Sequence, residues 1–420
     1  MTPEVPSDPT RADASPVVAE VPPDRTRADA PAVIAEIPPD HLRADALTPV
    51  LPNYGRGSLA ELLPSVCAVL GVPGSVDVLG LAGTLDGVDR VAVLLVDGLG
   101  TYQVPVASAY APILKDLGAG SRSLTTGFPS TTPVSLVTVG TGALPGAHGV
   151  LGFTTRRPDG RVLNHVQWKN DPDPREWQPV PTQFERAAAA GLGVTVVNKP
   201  EFAGSGLSVS ANRGARYVGA AGIEELVAGM LAALAAGPGI VYGYHPDLDH
   251  YGHGYGIDSE QWRVAAAQVG VLLERLVHGL PPRSALLVIA DHGQLNVPAD
   301  ARFDLADISD LSGAIAGVAG EPRVRYLYPV AGALDDVIAA WQAVLGSRAW
   351  VLTREEAIGR GLYGPVPADH LDRIGEVVIV CLERIVALAT GWEPPTVGRL
   401  VAFHGSVTAA EMMVPLLIAR

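Results

Sequence analysis

Continuous apolar runs alternate with alanine-rich helical stretches along most of this 420-residue chain. The runs are RVAVLLVDGLG (90–100), GVTVVNK (193–199), GIVYGYH (239–245) and SALLVIADHG (284–293). They lack the in–out alternation of a half-exposed strand, so each is predicted to be a parallel strand buried on both faces. TQFERAAAAG (182–191), IEELVAGMLAALAAG (223–237) and SEQWRVAAAQVGVLLERLVHGL (259–280) precede the second, third and fourth runs and read as helices. SLAELLPSVCAVLGV (58–72) has the same character ahead of the first run. Strand and helix in repeated succession predict an α/β fold with a doubly wound, mostly parallel central sheet flanked by helices.

The pattern changes in two places. Residues 301–385, with EPRVRYLYP (321–329), AWVLTREEAIG (349–359) and IGEVVIVCLE (374–383), predict a smaller α/β cap insertion. It divides the main α/β core at 53–300 from its return at 386–420, where a loop histidine, a helix and a closing apolar strand are expected. Residues 1–52 differ again. RADA starts at 11, 27 and 43, sixteen residues apart each time, and VAEVPPD (18–24) is echoed by IAEIPPD (34–40). Each unit has two prolines and few large apolar residues, which predicts a disordered or extended tail.

Composition narrows the class. At 48% hydrophobic the chain can bury a large core, with 47 glycines and 36 prolines for loops. Glu376, Glu383 and Arg384 interrupt the apolar run at 375–391, so no membrane span is expected. The first residues have no basic-then-apolar pattern, so a cytoplasmic location is expected. Two cysteines, Cys67 and Cys381, exclude a disulfide framework and read as buried thiols. A net charge of −14 argues against a nucleic-acid polymer as partner. A small phosphate-containing substrate, a nucleotide among the candidates, remains compatible because bound cations reverse a local field.

Ligands of doubly wound sheets gather beyond the carboxyl ends of the strands, and ionisable residues accumulate there. Asp97 follows the first apolar run. Asp291 and His292 follow another, where a buried ionisable pair is costly unless something binds it. Asp249 and His253, four apart in PDLDHYGHGYG (246–256), can face one ion from a helical turn or a tight loop. His404 sits in FHGS near the end. Three carboxylates and three imidazoles suffice for two divalent ions with three protein ligands each, the arrangement that clamps a phosphoryl group between metals ~4 Å apart.

Such a site needs a nucleophile. In PSTTPVSLVTVGTGALPGAHG (129–149), Pro133 suits the first position of a helix, which puts Thr132 at the N-cap. There a hydroxyl lies in the positive end of the helix dipole, and metal coordination would activate it.

Taken in order, VAVLLVDGLG, FPSTTPVSLVTVGTGALPGAHGVLGF (128–153), PDLDHYGHG, ADHG and FHGS resemble the alkaline-phosphatase superfamily, and within it the nucleotide pyrophosphatase/phosphodiesterase branch. The resemblance spans residues 88 to 420. It implies an alkaline-phosphatase-like fold and a two-metal phosphodiesterase or pyrophosphatase working through a phospho-threonine intermediate. One ion would be held by Asp97, Asp291, His292 and the nucleophile, the other by Asp249, His253 and His404. Zinc is the implied metal, with manganese the alternative. The motif spacing from Pro129 and Gly142 leads to Thr132, with Thr131 as rival. The chain departs from the branch at Phe153, where an asparagine donor to the phosphoryl oxygen is expected; Asn198 or Lys199 would be substitutes. A phosphomonoesterase or phosphonate hydrolase on the same scaffold is the alternative. A non-catalytic binding protein is disfavoured because all seven positions are filled.

Overall fold

The computed structural model describes residues 45–119 and 121–420. The RADA repeat through residue 44 lies outside the described residues. Its predicted boundary at 52 is corrected by the packing of residues 46–50. Val50 N–H donates to Val407 O (2.7 Å), Ala409 N–H to Thr48 O (2.8 Å) and Ala410 N–H to Ala46 O (2.9 Å). Ala46 is buried against Tyr102, Leu295, Ala409 and Ala410.

Helix α1 (Leu62–Val69) leads into strand β1 (Arg90–Val96), which is followed by β2 (Arg122–Thr125) and helix α2 (Thr132–Thr141). Helix α3 (Gln183–Ala189), β3 (Gly193–Asn198), β4 (Arg216–Gly219), α4 (Ile223–Ala235), β5 (Gly239–His245), α5 (Asp247–Tyr255), α6 (Glu260–Gly279) and β6 (Ser284–Ile289) complete the first part. An insertion then supplies β7 (Ile315–Glu321), β8 (Val324–Pro329), helix α7 (Leu334–Leu345), β9 (Ala349–Thr353) and β10 (Val377–Cys381), before the chain returns as β11 (Met413–Ala419).

Among the described residues seven strands form the central sheet, in the order β2-β11-β6-β1-β5-β3-β4. β11 runs antiparallel to both of its neighbours. The other adjacent pairs are parallel. The fold is therefore the mixed α/β architecture with a mostly parallel sheet that the apolar runs predict. β1 and β6 are buried along nearly their whole length, because helices cover both faces. The short strands β2 and β4 carry no comparable apolar run; sheet pairing, not pattern, makes them strands.

β1 lies between β6 and β5 with Arg90 in register with both Ser284 and Gly239. Three parallel strands thus end side by side, and the residues that follow them meet at one rim. The insertion forms a separate four-stranded antiparallel sheet, β7-β8-β10-β9. Its own core includes Leu311, Trp341, Leu345, Val377 and Cys381. Cys67 and Cys381 are both free and buried, and burial pushes each thiol up to about 11. Among the described residues no helix is long and apolar enough to cross a membrane.

Candidate active site

The rim above β6, β1 and β5 gathers the six acidic and imidazole side chains into two groups. Asp97, Asp291 and His292 form one, and Asp249, His253 and His404 the other; in each, one ligand atom per residue lies within 4.8 Å of the rest. Asp97 directly follows β1, and Asp291–His292 follow β6 by two residues. Asp249 and His253 sit on α5, four residues apart, and therefore share one helix face. His404 arrives from the far end of the chain. Ala402 and Phe403 pair with Asn296 and Leu295, just beyond His292, and this short ladder sets its approach.

The hydrogen bonding orients every imidazole. His253 Nδ1 donates to Ala402 O (2.7 Å) and His404 Nδ1 to Ser130 O (3.0 Å). His292 Nδ1 has Gly293 O at 3.3 Å. A carbonyl only accepts, so Nδ1 carries the proton and each Nε2 lone pair faces the site. Nε2 of His253 and His404 are 3.1 Å apart, with Asp249 oxygens at 3.4 and 3.9 Å. His292 Nε2 lies 3.3 Å from Asp291 Oδ2 and 3.6 Å from Asp97 Oδ1. Those two carboxylate oxygens are buried without a hydrogen-bond partner. Acceptors that converge with no donor between them are the surroundings a cation requires, and imidazole with carboxylate suits zinc or a related divalent ion.

Electrostatics agree. Burial, then repulsion from Asp291 and Asp249, holds the Asp97 carboxyl well above the usual range. Burial raises Asp291 to about 6 and lowers His292 to about 4. It also lowers His404 strongly, as do the neighbouring His292 and His253. Carboxylates crowded to this degree are stabilised in the ionised form by positive charge. The His292 and His404 rings stack at 3.6 Å, so the two donor groups adjoin.

Thr132 faces both. Its Oγ1 lies 3.1 Å from His292 Nε2 and 3.5 Å from Asp97 Oδ2. The helix begins one residue earlier than the position of Pro133 predicts. Thr131 is the N-cap in extended conformation (φ −138°, ψ 149°), Thr132 is the first helical residue, and Pro133 is the second. Thr131 is fully buried. Ser135 fixes the register of α2 by donating to Asp291 O (2.8 Å).

The other sequence candidates serve locally. Asn198 Oδ1 accepts the Lys199 N–H (2.7 Å) and Lys199 Nζ pairs with Asp247 at 3.7 Å. Phe153 brings no side-chain donor, and its carbonyl accepts the His165 N–H (3.1 Å). The motifs missed two side chains that hold candidate ligands. Tyr244 donates to Asp97 Oδ2 at 2.5 Å. Gln294 Nε2 donates to Asp249 O (3.1 Å) and to its carboxylate. Tyr244 leaves no signal beyond strand alternation; Gln294, two residues past His292 in ADHGQ, could have been suspected from proximity.

A mostly parallel sheet with paired carboxylate–imidazole groups at its rim and a hydroxyl at a helix start against one of them defines an alkaline-phosphatase-like phosphohydrolase. The chain belongs to the type I phosphodiesterase/nucleotide pyrophosphatase family, whose sequence profile matches residues 91–407. No curated protein matches it in sequence. Among solved structures it is similar to murine ectonucleotide pyrophosphatase/phosphodiesterase 5, in an inactive threonine-to-alanine form in complex with AMP. The TM-score is 0.62 at 19% identity, covering 79% of this chain and 88% of that one. Phosphonoacetate hydrolase from Sinorhizobium meliloti 1021 in complex with phosphonoformate gives 0.61 at 20% identity, covering 78% and 89%. At these identities the likeness establishes the fold.

Proposed function

We propose that this protein hydrolyses phosphate diesters or pyrophosphates at a two-metal site, with Thr132 as nucleophile. The observation that carries the reading is the position of Thr132 Oγ1, 3.1 Å from His292 Nε2 at the start of α2, beside two groups of converging acceptors. Asp97, Asp291 and His292 would hold one divalent ion together with Thr132, and Asp249, His253 and His404 the other; zinc fits the donors best. Bound ions would lower the pKa of a coordinated hydroxyl and offset charge on phosphoryl oxygens.

The protein's own groups do the rest. Thr132 Oγ1 attacks phosphorus, and the bond to the leaving alcohol or phosphate breaks. Water then cleaves the phosphoryl ester of Thr132, and the hydroxyl is restored. First-turn amides of α2, Pro133 excepted, point toward the incoming anion. Tyr244 and Gln294 keep Asp97 and Asp249 aimed. The inactive threonine-to-alanine form of the murine relative supports a threonine nucleophile, and its AMP supports a nucleotide substrate. The net charge of −14 favours a small substrate over a nucleic-acid polymer.

A phosphonate hydrolase is the second reading, favoured by the phosphonoacetate hydrolase likeness and by Phe153 in place of an asparagine donor. Turnover of bis(para-nitrophenyl) phosphate, a nucleotide para-nitrophenyl ester, para-nitrophenyl phosphate and phosphonoacetate separates the two. Diesters are expected to exceed the monoester in kcat/KM by about tenfold or more, equivalent to ~1.4 kcal/mol of transition-state stabilisation. Preference for phosphonoacetate or the monoester would overturn the diesterase assignment.

A further inference from the structure

The hairpin turn between β7 and β8 carries Arg323 into the catalytic core, where it is fully buried. Its guanidinium grips the Glu411 carboxylate in fork geometry, Nε to Oε1 at 2.9 Å and Nη2 to Oε2 at 2.6 Å. Nη1 donates to Ile385 O at 2.6 Å, so the insertion's own backbone completes the arginine's bonding. Glu411 accepts two further bonds, from Ser406 N–H (3.0 Å) and Thr408 Oγ1 (2.5 Å). Each carboxylate oxygen thus has two donors, and the pair is satisfied.

The placement of these bonds matters more than their number. Ser406 stands two residues after His404. The backbone carbonyl of Glu411 accepts the N–H of Gly293 (3.0 Å), next to His292. Ser130, two residues before Thr132, donates its N–H to Gly405 O (2.9 Å) and its hydroxyl to Ser406 O (2.6 Å). Its own carbonyl accepts His404 Nδ1. Gly405 has φ +132°, and a Cβ there would lie 3.0 Å from the Glu321 side chain and 3.3 Å from Arg323 Cβ. The insertion therefore seats directly on the His404 loop. Glu411 thus joins the insertion to the His404 loop through its carboxylate and to the His292 loop through its backbone carbonyl, and the two loops belong to different donor groups.

A buried ion pair adds little stability relative to well-packed apolar side chains, because desolvation offsets the attraction. What this pair supplies is geometry. We infer that Arg323 and Glu411 are positioning residues through which the insertion holds His404 against His292 and so sets the affinity of the Asp249–His253–His404 group for its ion. The inference rests on the two-metal reading.

The test uses the full chain as wild type, Glu411→Gln, Arg323→Met and the double variant Arg323→Met/Glu411→Leu. Zinc binding by calorimetry and metal analysis, melting temperature, and kcat and KM on bis(para-nitrophenyl) phosphate are measured. Wild type is expected to bind two ions. The variants should keep one and bind the second about 10- to 100-fold more weakly, with kcat falling alongside. The double variant should recover the melting temperature without recovering the second ion. Glu411→Gln, which keeps the shape of the side chain, tests the inference if the larger changes prevent folding. Two tightly bound ions on a folded double variant, or on Glu411→Gln, would overturn the inference alone. No ion on wild type would overturn the two-metal reading and this inference with it.

Discussion

Thr131 and Thr132 are adjacent and chemically identical, yet they have different surroundings. The N-cap Thr131 is fully buried, whereas Thr132 is partly open and faces His292 Nε2 at 3.1 Å. Thr132→Ala is expected to lower kcat by about a thousandfold or more while the fold persists, because positioning and metals alone leave only residual catalysis. Thr132→Ser keeps a hydroxyl and should keep measurable turnover. The Thr131 side chain makes no capping hydrogen bond, so Thr131→Ala should change stability only slightly and leave turnover nearly unchanged. Rates and melting temperatures of the three variants decide the matter; an inactive Thr131 variant beside an active Thr132 variant would move the nucleophile by one residue.

The site works at the level of elements because three parallel strands end together. β6, β1 and β5 are neighbours in register, so Asp291–His292, Asp97 and the start of α5 emerge at one rim. On α5 the i,i+4 spacing turns Asp249 and His253 to one side. The two groups draw on different elements, so they can be emptied separately. Asp291→Ala should remove the ion of the Asp97 group, and His253→Ala that of the Asp249 group, each with loss of most turnover. Metal analysis of the purified variants reads this directly. Chelation should abolish activity and added zinc or manganese restore it; full turnover in metal-free protein would contradict the two-metal reading.

Across the whole molecule, the ordered core reaches back to residue 46 through the bonds to residues 407–410. That segment adjoins Glu411 and the His404 loop. Deleting residues 1–44 should leave turnover and melting temperature nearly intact, since the Pro-rich acidic repeat has too few apolar residues to support a core. Extending the deletion to residue 52 should lower the melting temperature, because it removes backbone hydrogen bonds with net contributions of about 1 kcal/mol each and the burial of Ala46. Thermal melts of the two truncations compare these outcomes, and equal melting temperatures would count against the packing argument.

The sequence by itself determined the buried strands, their order with the helices, and which ionisable residues stand at their ends. A run such as RVAVLLV encodes a doubly buried strand locally, and Asp97, Asp291 and His292 are conspicuous because they follow such runs at the carboxyl ends, where ligands of doubly wound sheets gather. The helix spacing of Asp249 and His253 is equally local, and the five motifs in order resemble one superfamily. Tertiary structure alone decided what depends on distant pairings. Spacing could not show that β1 lies between β5 and β6, that β2 and β4 are strands, or that residues 46–50 pack on the core. It favoured Thr132 over Thr131, but that Thr131 is the buried N-cap and Thr132 faces His292 depends on what α2 packs against. Nor could it join Arg323 to Glu411, 88 residues apart in sequence. Local pattern records which face of an element is buried. Which elements meet is set by crossovers and sheet register, and these determine which side chains stand within bonding distance.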